Sequence, residues 1–520
     1  MLLKTLNQQP KWLRNLIVVS IVLGIVFRFY NLDRKVYWYD ETMTSMRISG
    51  YTQEEVVQQA FDGEVITVDN FLERYQYPSP EKDLNDTLNA LAGNPEHSPF
   101  YYLIARLWLQ IFSHSVLSIR LLSALISLLA LPCIYWLCLE VFGLSTVSWL
   151  AVAILAISPF HILYAQEARE YALWTVTILL SSAALLRAMR LKSLLSWGIY
   201  GISVALGLYT HPFSAFVSIG HGIYVLVTEK FRWSKRLTGY LFSSLGGLLV
   251  FVPWLLVVVD HFSKFVGNTA SVNASREGFL PLFWGLNLSR IFFDFNQGTS
   301  AFSPLHYLSA FLAGYALYYL YRKASLNAWV FIITLMGVTG LALIGPDLIL
   351  GGRRSSITRY AIPSYLGIQI AVAYLIAAKS TTINQDRGNS KPWRYVAIAL
   401  VFCGIVSGVV SSQLPVWWHK SRSKSQYNPL VAGIINQAEN PLVISDQIPG
   451  IMFSLSHLLK PNTHLQFVVK PNIPEIPENF EPIFLYRPSD ELKQGIEQKL
   501  NWTVEVEPNS ESWLWNVEKQ

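Results

Sequence analysis

The chain has 520 residues, of which 52% are hydrophobic, and a formal net charge of +6. The positive charge lies mainly in alternate loops between long apolar runs, as the orientation rule for membrane helices requires, so it is poor evidence for nucleic-acid binding. The three cysteines, Cys133, Cys138 and Cys403, all lie inside apolar runs. The polar regions therefore contain neither a disulfide framework nor a thiolate metal cluster.

Apolar runs approaching the ~20 residues that a membrane span requires recur along the chain. Each is predicted to be a transmembrane helix, because only a helix satisfies its own backbone in lipid. The runs are residues 16–30, 119–139, 147–164, 171–189, 196–211, 213–228, 238–259, 304–321, 327–345, 360–378 and 394–412. Several runs are short or interrupted, so the expected total is about eleven. The first run lacks a small-residue cleavage site, which favours a retained anchor over a signal peptide.

Lysine and arginine predict the orientation of these helices. Basic residues precede the first run, so the N-terminus is predicted to be cytoplasmic. These residues and those of the other basic loops on the same side are Lys4, Lys11, Arg14, Arg187, Arg190, Lys192, Lys230, Arg232, Lys235, Arg236, Arg322, Lys323, Lys379, Arg387, Lys391 and Arg394. The outer face then receives residues 31–98, 165–170, 260–303, 346–359 and everything after 412.

Two regions outside the predicted spans have structure of their own. Residues 31–98 form a long polar first outer loop, in which residues 52–61 have helical spacing. Residues 99–113 are apolar but contain Arg106, and they are predicted to form a helix lying on the membrane. A short span is the alternative for this segment.

Residues 413–520 change character, because prolines and charges return and no run is long enough to span a bilayer. Their alternating pattern predicts a small extracytoplasmic α/β domain that follows a membrane domain at residues 1–412. Strands are predicted at 441–446, 465–470 and 482–487, and helices at 430–438, 450–459 and 490–500. The segment has no glycine-rich phosphate loop, so nucleotide binding is unsupported.

An acidic pair is the leading functional candidate. It lies in the motif Trp38-Tyr39-Asp40-Glu41-Thr42, shortly after the first apolar run. Charge held next to hydrocarbon is costly, so carboxylates at a membrane surface point to function. The pair is expected to face water, and a solvated acidic turn is the alternative. A divalent metal ion is also left open, because an Asp-Glu pair can bind one together with waters.

Further polar residues lie at the outer ends of other predicted spans. They are His97, His161, Gln166, Glu167, Arg169, Glu170, His211, Arg353, Arg354 and Arg359. Local ion pairing is the alternative for residues 166–170, a hydrogen-bonded helix end for His211, and snorkelling to lipid head groups for Arg353, Arg354 and Arg359. Together they suit transfer from a phospholipid-like donor, because cations stabilise a phosphate leaving group and a carboxylate accepts the proton of an acceptor hydroxyl.

Several of these motifs carry a family resemblance. RFYNLDRKVYWYDET (28–42), HSPFYYLIARLW (97–108), IRLLSALISLLALPCIYWL (119–137), SPFHILYAQEAREYAL (158–173) and RYAIPSYLGI (359–368) resemble segments of GT-C superfamily glycosyltransferases. The similar branch is that of the protein O-mannosyltransferases and the aminoarabinose lipid A transferase. These enzymes use polyprenyl-phosphate sugars on the outer face of the membrane.

The resemblance implies roles for individual residues. The acidic pair of the family falls on Asp40 and Glu41, as catalytic residues. A second motif falls on Gln166, Glu167, Arg169 and Tyr171, and the late phosphate-binding arginine falls on Arg359. Charge placement adds Arg353 and Arg354 to the donor-phosphate site. The predicted substrate-binding residues are His97, His161, Gln166, Glu167, Tyr171 and His211.

The expected protein is therefore a polytopic GT-C glycosyltransferase of the bacterial plasma membrane. It would move a sugar from a polyprenyl-phosphate donor to a hydroxyl or amine of a lipid, glycan or protein acceptor, inverting at the sugar with a carboxylate base. A transporter or flippase of lipid-linked sugars is one alternative, although such proteins place coupling residues near the bilayer midplane and often in repeats. A membrane scaffold acting through residues 413–520 is the other.

Overall fold

The structure, a computed structural model, describes residues 2–274, 278–381, 390–420 and 422–519. Arg387, one of the basic residues of the orientation argument, lies outside the described residues. The chain forms two compact units. The first contains Met1–Leu32, Asn94–Tyr101 and Arg120–Ser412, and the second contains Asp33–Gly93, Tyr102–Ile119 and Gln413–Gln520.

Helices dominate the described residues, and each predicted apolar run is helical. The α-helices, in chain order, are Leu2–Asn7, Lys11–Phe29, Tyr39–Ser49, Gln53–Ala60, Val68–Gln76, Leu84–Ala92, Phe100–Ile111, Val116–Leu128, Ala130–Phe142, Ser145–Ile157, Pro159–Ala165, Tyr171–Leu191, Leu194–Thr210, Ser214–Thr228, Lys235–Asp260, Phe262–Thr269, Leu280–Ser289, Pro304–Lys323, Leu326–Ile349, Ile362–Ser380, Lys391–Gln413, Arg422–Ser425, Asn428–Ile435, Pro449–Ser456 and Asp490–Leu500. Short 3-10 helices cover Ala270–Asn273, Arg354–Ser356 and Thr358–Ala361.

Among the described residues, seven helices are long and apolar enough to cross a membrane. They are Lys11–Phe29, Val116–Phe142, Tyr171–Leu191, Lys235–Asp260, Leu326–Ile349, Thr358–Ser380 and Lys391–Gln413. The pair Ser145–Ile157 and Pro159–Ala165, bent by 59°, makes an eighth if it is one span. The polytopic helical fold is confirmed, but the total of eleven spans is not. Leu194–Thr210 and Ser214–Thr228 are apolar but fall short of the ~20 residues that a span requires.

A buried arginine in the first unit stabilises the bend in the Ser145–Ala165 pair. Pro159 has no N–H to give to the Leu155 carbonyl, and the N–H of Phe160 donates to the carbonyl of Arg290 instead of that of Ala156. The Arg28 guanidinium replaces these two backbone donors, because it donates to the Leu155 carbonyl at 3.2 Å and to the Ala156 carbonyl at 2.5 Å. The helix break therefore leaves its carbonyls satisfied, as a buried backbone requires.

The second unit is built on one six-stranded sheet. Its strands are β1 (Asp62–Thr67), β2 (Leu442–Ser445), β3 (His464–Val468), β4 (Ile483–Tyr486), β5 (Thr503–Val506) and β6 (Leu514–Glu518), in the order β1-β3-β2-β4-β6-β5. The central strands β3, β2 and β4 are parallel, and the other pairs are antiparallel. The three strands and three helices predicted within 413–520 are confirmed.

The edge strand β1 comes from the first outer loop, where no strand was predicted. It pairs with β3, with Val65 opposite Gln466 and Thr67 opposite His464. Helices of the same loop cover one face of the sheet, where Phe71 stacks on Phe453 at 4.5 Å. The Asp490–Leu500 helix packs on the other face through Leu492 and Ile496. The central strands are mostly apolar, with His464, Gln466 and Ser445 as the exceptions, because both faces are covered.

Candidate active site

The acidic pair lies in the first turn of the Tyr39–Ser49 helix, in the second unit. The positive end of the helix dipole stabilises carboxylates at that position. Asp40 is half-buried. Glu41 is fully buried, with Oε2 3.5 Å from the backbone nitrogen of Trp38. The two neighbouring carboxylates therefore differ in environment and in what they can do.

Glu41 forms an ion pair that the sequence did not predict. The Lys420 ammonium donates to Glu41 Oε2 at 2.9 Å, and both side chains are 0% exposed. Lys420 lies in the segment after the last long helix. A backbone hydrogen bond holds this segment beside the motif, since the Val36 N–H donates to the Pro415 carbonyl at 2.8 Å. The expectation that the whole pair faces water is therefore wrong for Glu41. A buried charge needs a partner, and Lys420 supplies it.

The residues around the pair do not fit a metal site. The Glu41 carboxylate is already neutralised by Lys420, which takes the position that a cation would need. Within the described ranges, no group of three or more histidine, cysteine, aspartate or glutamate side chains is placed to hold a metal ion.

Contacts within the second unit fix the helix that carries the pair. Thr42 Oγ1 donates to the Gly450 carbonyl at 3.1 Å. A Cβ on Gly450 would lie 2.6 Å from the Tyr39 ring, so only glycine allows this approach. Two lysines flank the motif: the Lys420 ammonium is 5.8 Å from the Trp38 ring centroid and the Lys424 ammonium is 3.3 Å from that of Tyr39. The basic and aromatic stretch at 417–424 is the sequence signal that could have identified them.

The second candidate cluster lies in the first unit, at the turn between the Pro159–Ala165 and Tyr171–Leu191 helices. Its buried residues are Gln166, Glu167, Arg169, Glu170 and Tyr171. The Gln166 amide donates to the carbonyls of Phe27 at 2.7 Å and Tyr30 at 3.0 Å, where the Lys11–Phe29 helix ends. Gln166 thus anchors the turn to the first span.

Local ion pairing, the alternative raised for this turn, accounts for part of it. The Arg169 guanidinium lies 3.1 Å from Glu170 Oε1. His97 Nδ1 is 3.8 Å from the same oxygen, so the structure brings His97 to the turn. Glu170 thus offsets the charge of Arg169.

Two arginines from distant parts of the chain converge on one aromatic ring. The Arg169 and Arg359 guanidinium carbons each lie 5.6 Å from the Tyr171 ring centroid. Arg359 belongs to the 3-10 turn that precedes the Ile362–Ser380 helix, and it is half-buried. The electron-rich face of the ring attracts each cation, but two guanidinium groups this near one ring repel each other.

Arg290 is a third guanidinium of this cluster, and sequence reasoning missed it. It is buried and donates to Asn287 Oδ1 at 3.1 Å. Burial lowers the pKa of Arg290 to about 10, against the opposing effect of Asp294, so the group stays charged at neutral pH. Tyr164 lies within electrostatic range of Glu167, Arg359 and Arg290. The sequence signal that could have identified Arg290 is its position in a predicted outer loop, where the orientation rule disfavours basic residues.

The two helix-associated histidines have internal partners. His211 stacks on Trp174 with ring centroids 4.0 Å apart, and its Nδ1 accepts the Phe213 N–H at 3.2 Å. Burial, reinforced by Arg169 and Arg359, lowers the pKa of His211 to about 3, so this histidine is neutral. His161 Nε2 lies 3.1 Å from Gln369 Oε1, a contact between helices.

Arg353 and Arg354 contact other parts of the first unit. The Arg354 guanidinium lies 3.0 Å from the buried Asp347 carboxylate and also donates to Asn273. Asp347 further accepts from the backbone and hydroxyl of Ser355. Arg353 Nε donates to the Ser271 carbonyl at 3.0 Å. These contacts are with the 3-10 helix Ala270–Asn273 and the end of the Leu326–Ile349 helix.

Comparison with known proteins supports the resemblance seen in the motifs. Residues 96–257 match the family model "Dolichyl-phosphate-mannose-protein mannosyltransferase". The structure of ArnT from Cupriavidus metallidurans bound to undecaprenyl phosphate matches with a TM-score of 0.54 at 14% identity, covering 96% of this chain and 97% of that chain. Its apo form gives a TM-score of 0.54 at 15% identity, with the same coverage of 96% and 97%. The fold is of the GT-C type.

The GT-C likeness extends over nearly the whole chain, whereas the sequence match covers one segment. The archaeal oligosaccharyltransferase AglB from Archaeoglobus fulgidus also matches, with a TM-score of 0.47 at 13% identity, covering 87% of this chain and 64% of that chain. The comparison with curated proteins returns no match. The predicted resemblance is thus confirmed over residues 96–257, and the predicted fold over nearly the whole chain.

Proposed function

We propose that this GT-C protein transfers a sugar from a polyprenyl-phosphate donor to a hydroxyl or amine acceptor, on the extracytoplasmic face of a bacterial plasma membrane. The observation that carries the proposal is the convergence of Arg169 and Arg359 on Tyr171, where two candidate spans begin. A phosphate attached to a lipid is the anion that reaches such a position from within a bilayer. The bound undecaprenyl phosphate of the ArnT structure is a carrier of this chemical class.

The arginine cluster would act on the leaving group. When the bond from the sugar carbon to the phosphate oxygen breaks, negative charge builds on the phosphate, and guanidinium groups fixed in advance stabilise it. Arginine suits this role because its planar fork donates two parallel hydrogen bonds and keeps its charge when partly buried. His97, Glu167 and Tyr171 surround the same cluster and are proposed to bind the donor sugar and its phosphate.

Asp40 is the proposed general base. The acceptor oxygen or nitrogen attacks the sugar carbon from the side opposite the phosphate, so the configuration inverts. The proton of the acceptor passes to the Asp40 carboxylate, and the polyprenyl phosphate leaves with the electron pair of the broken bond. Glu41 is tied to Lys420, so it positions the first turn of the helix rather than taking the proton.

The donor itself is identified by comparing cells with and without the protein. We expect one polyprenyl-phosphate sugar to accumulate when the protein is absent, and one surface glycan, lipid or protein modification to disappear, as seen by mass spectrometry. The purified protein in liposomes should then join the sugar to the acceptor. Movement of the donor across the bilayer without a transfer product would instead support the competing transporter or flippase. If cells without the protein still turn over the donor and still make the product, the scaffold function is favoured.

Lysine substitutions test the phosphate site. Arg169→Lys and Arg359→Lys are each expected to raise the KM for the donor about tenfold, because an ammonium cannot reproduce a bidentate contact worth ~1.5–3 kcal/mol. The KM for the acceptor should barely change. Arg353→Lys is the matched control, since Arg353 Nε donates to the Ser271 carbonyl in the 3-10 helix Ala270–Asn273. Unchanged donor dependence in both variants would make Arg169 and Arg359 interface anchors and move the phosphate site elsewhere.

Cysteine labelling tests the proposed topology. Asn85 and Gln498 are exposed residues of the second unit, and Arg232 is exposed in a predicted cytoplasmic loop. In intact cells, Asn85→Cys and Gln498→Cys should react with an impermeant thiol reagent, whereas Arg232→Cys should react only after the membrane is opened. The wild-type protein, with its three cysteines in helices, provides the background. Protection of Asn85→Cys in intact cells would exclude an outer-face site for the acidic pair.

A further inference from the structure

A groove in the first unit is unrelated to the proposed active site. It runs between the Leu194–Thr210 and Lys235–Asp260 helices and has a volume of about 830 Å³. Its lining is mostly apolar or small, with Trp197, Phe242 and Val250 along it and Lys192 and Lys235 at one end. Ligand sites in proteins typically have volumes of ~300–1,000 Å³, so the groove is large enough for a lipid chain.

One wall of the groove is a helix with an unusually open face. Only 17% of the apolar window of Lys235–Asp260 is buried within the protein, the smallest share among the seven candidate spans. Residues 235–250 of this helix extend ~22 Å at ~1.5 Å per residue, which exceeds half of the ~30 Å hydrocarbon core. At the far end, the Tyr209 hydroxyl donates to the Val250 carbonyl at 2.9 Å and joins the two walls.

The floor of the groove is open where two glycines lie. A Cβ on Gly198 or Gly246 would meet no atom within 4 Å. By contrast, a Cβ on Gly201 would lie 2.9 Å from the Ser243 carbonyl oxygen, where the two helices pack tightly. Packing between the helices thus requires Gly201 but neither Gly198 nor Gly246, and the space over the latter two is available to a bound chain.

The basic end of the groove has the chemistry of a head-group site. Lys192 also lines a neighbouring polar cavity of about 360 Å³, whose two arginines are paired within the protein, Arg190 with Glu140 at 2.8 Å and Arg236 with Glu229 at 2.9 Å. The orientation rule assigns this end to the cytoplasmic side. Phe231 and Trp233, each 76% exposed, lie in the adjoining turn, as aromatic residues do at the membrane–water interface. Basic pockets between membrane helices on the cytoplasmic side bind anionic lipid head groups.

We propose that this groove binds an anionic glycerophospholipid of the cytoplasmic leaflet, with an acyl chain over Gly198 and Gly246 and the phosphate at Lys192 and Lys235. Charge complementarity selects the lipid, because a zwitterionic head group gains less from two lysines near the membrane surface. This site is separate from the arginine cluster around Tyr171 and does not depend on the glycosyltransferase assignment.

Native mass spectrometry of the full-length protein tests the proposal with phosphatidylglycerol and phosphatidylcholine of the same acyl chains. We expect wild-type protein to retain phosphatidylglycerol at least fivefold over phosphatidylcholine. Gly198→Leu/Gly246→Leu should abolish this retention, whereas Gly314→Leu should not, since Gly314 is an exposed helical glycine with open space outside the groove. Lys192→Gln/Lys235→Gln should remove the preference, and the charge-matched Lys4→Gln/Lys11→Gln should keep it.

Several results would overturn the proposal. Equal retention of the two lipids would show an ordinary lipid-facing surface, and retention unchanged by the leucines would place the lipid elsewhere. Displacement of phosphatidylglycerol by an equimolar polyprenyl phosphate would make the lipid carrier the occupant. If the wild-type protein is a dimer and the Gly198→Leu/Gly246→Leu variant is a monomer, the occupant of the groove is a second copy of the chain. If Gly198→Leu/Gly246→Leu fails to fold, the proposal is tested by Lys192→Gln/Lys235→Gln, whose substitutions lie at exposed positions.

Discussion

Asp40→Asn is expected to lower the rate of sugar transfer about 10²-fold or more, which is the contribution of a lost general base. The substitution keeps the shape of the side chain and removes the charge that accepts the proton. Because Asp40 is half-buried and its neighbour Glu41 provides the ion pair, the fold should survive. Initial rates with the purified protein and the identified donor would measure the effect, with the unfolding temperature as the check on folding.

Asp69→Asn is the matched control for this change. Asp69 is the second residue of the Val68–Gln76 helix, as Asp40 is of the Tyr39–Ser49 helix, and both carboxylates lie in a first turn of the same unit. Each variant loses the same helix-dipole interaction, worth ~0.3–1 kcal/mol. Only Asp40→Asn should lose transfer. If Asp40→Asn transfers sugar at the wild-type rate, the base lies elsewhere in the protein.

Removing one partner of the Glu41–Lys420 pair is expected to destabilise the second unit strongly. Lys420→Met leaves the Glu41 carboxylate buried without its cation, and breaking a buried ion pair in this way costs about 3–5 kcal/mol. Glu41→Gln strands the lysine in the same manner. The double variant Glu41→Gln/Lys420→Met should recover most of the loss, because no uncompensated charge remains. Thermal unfolding of the three variants in detergent would show the pattern.

The pair between Arg74 and Glu81 provides the comparison. Its side chains are 45% and 59% exposed at an N–O distance of 3.3 Å, so water and salt screen the charges. Glu81→Gln should therefore cost no more than about 1 kcal/mol.

Equal stability of Lys420→Met and wild type would contradict the buried pair. Sugar transfer by the folded double variant at the wild-type rate would limit Glu41 to a structural role, whereas its loss would give Glu41 a positioning role in the reaction.

Local patterns in the sequence were sufficient to predict most of the fold. Apolar runs specify helices in lipid regardless of their neighbours, which is why every predicted run is helical. The parallel strands β2, β3 and β4 are short apolar segments between turn residues, and they too were predicted. The number of spans was not predicted correctly, because it depends on helix lengths and on the break at Pro159.

The resemblance placed Asp40, Glu41, Arg169, Tyr171 and Arg359 among the candidate residues, since these positions belong to short local motifs. The tertiary structure alone decided their partners. Lys420 pairs with Glu41 across 379 positions of the chain, and Arg359 reaches the ring of Tyr171 from a turn far along the sequence. Strand β1 joins β3 in the same way. Periodicity and composition describe neighbours along the chain, whereas ion pairs, cation–ring contacts and strand pairing depend on which distant segments meet, and only packing of the whole unit determines that.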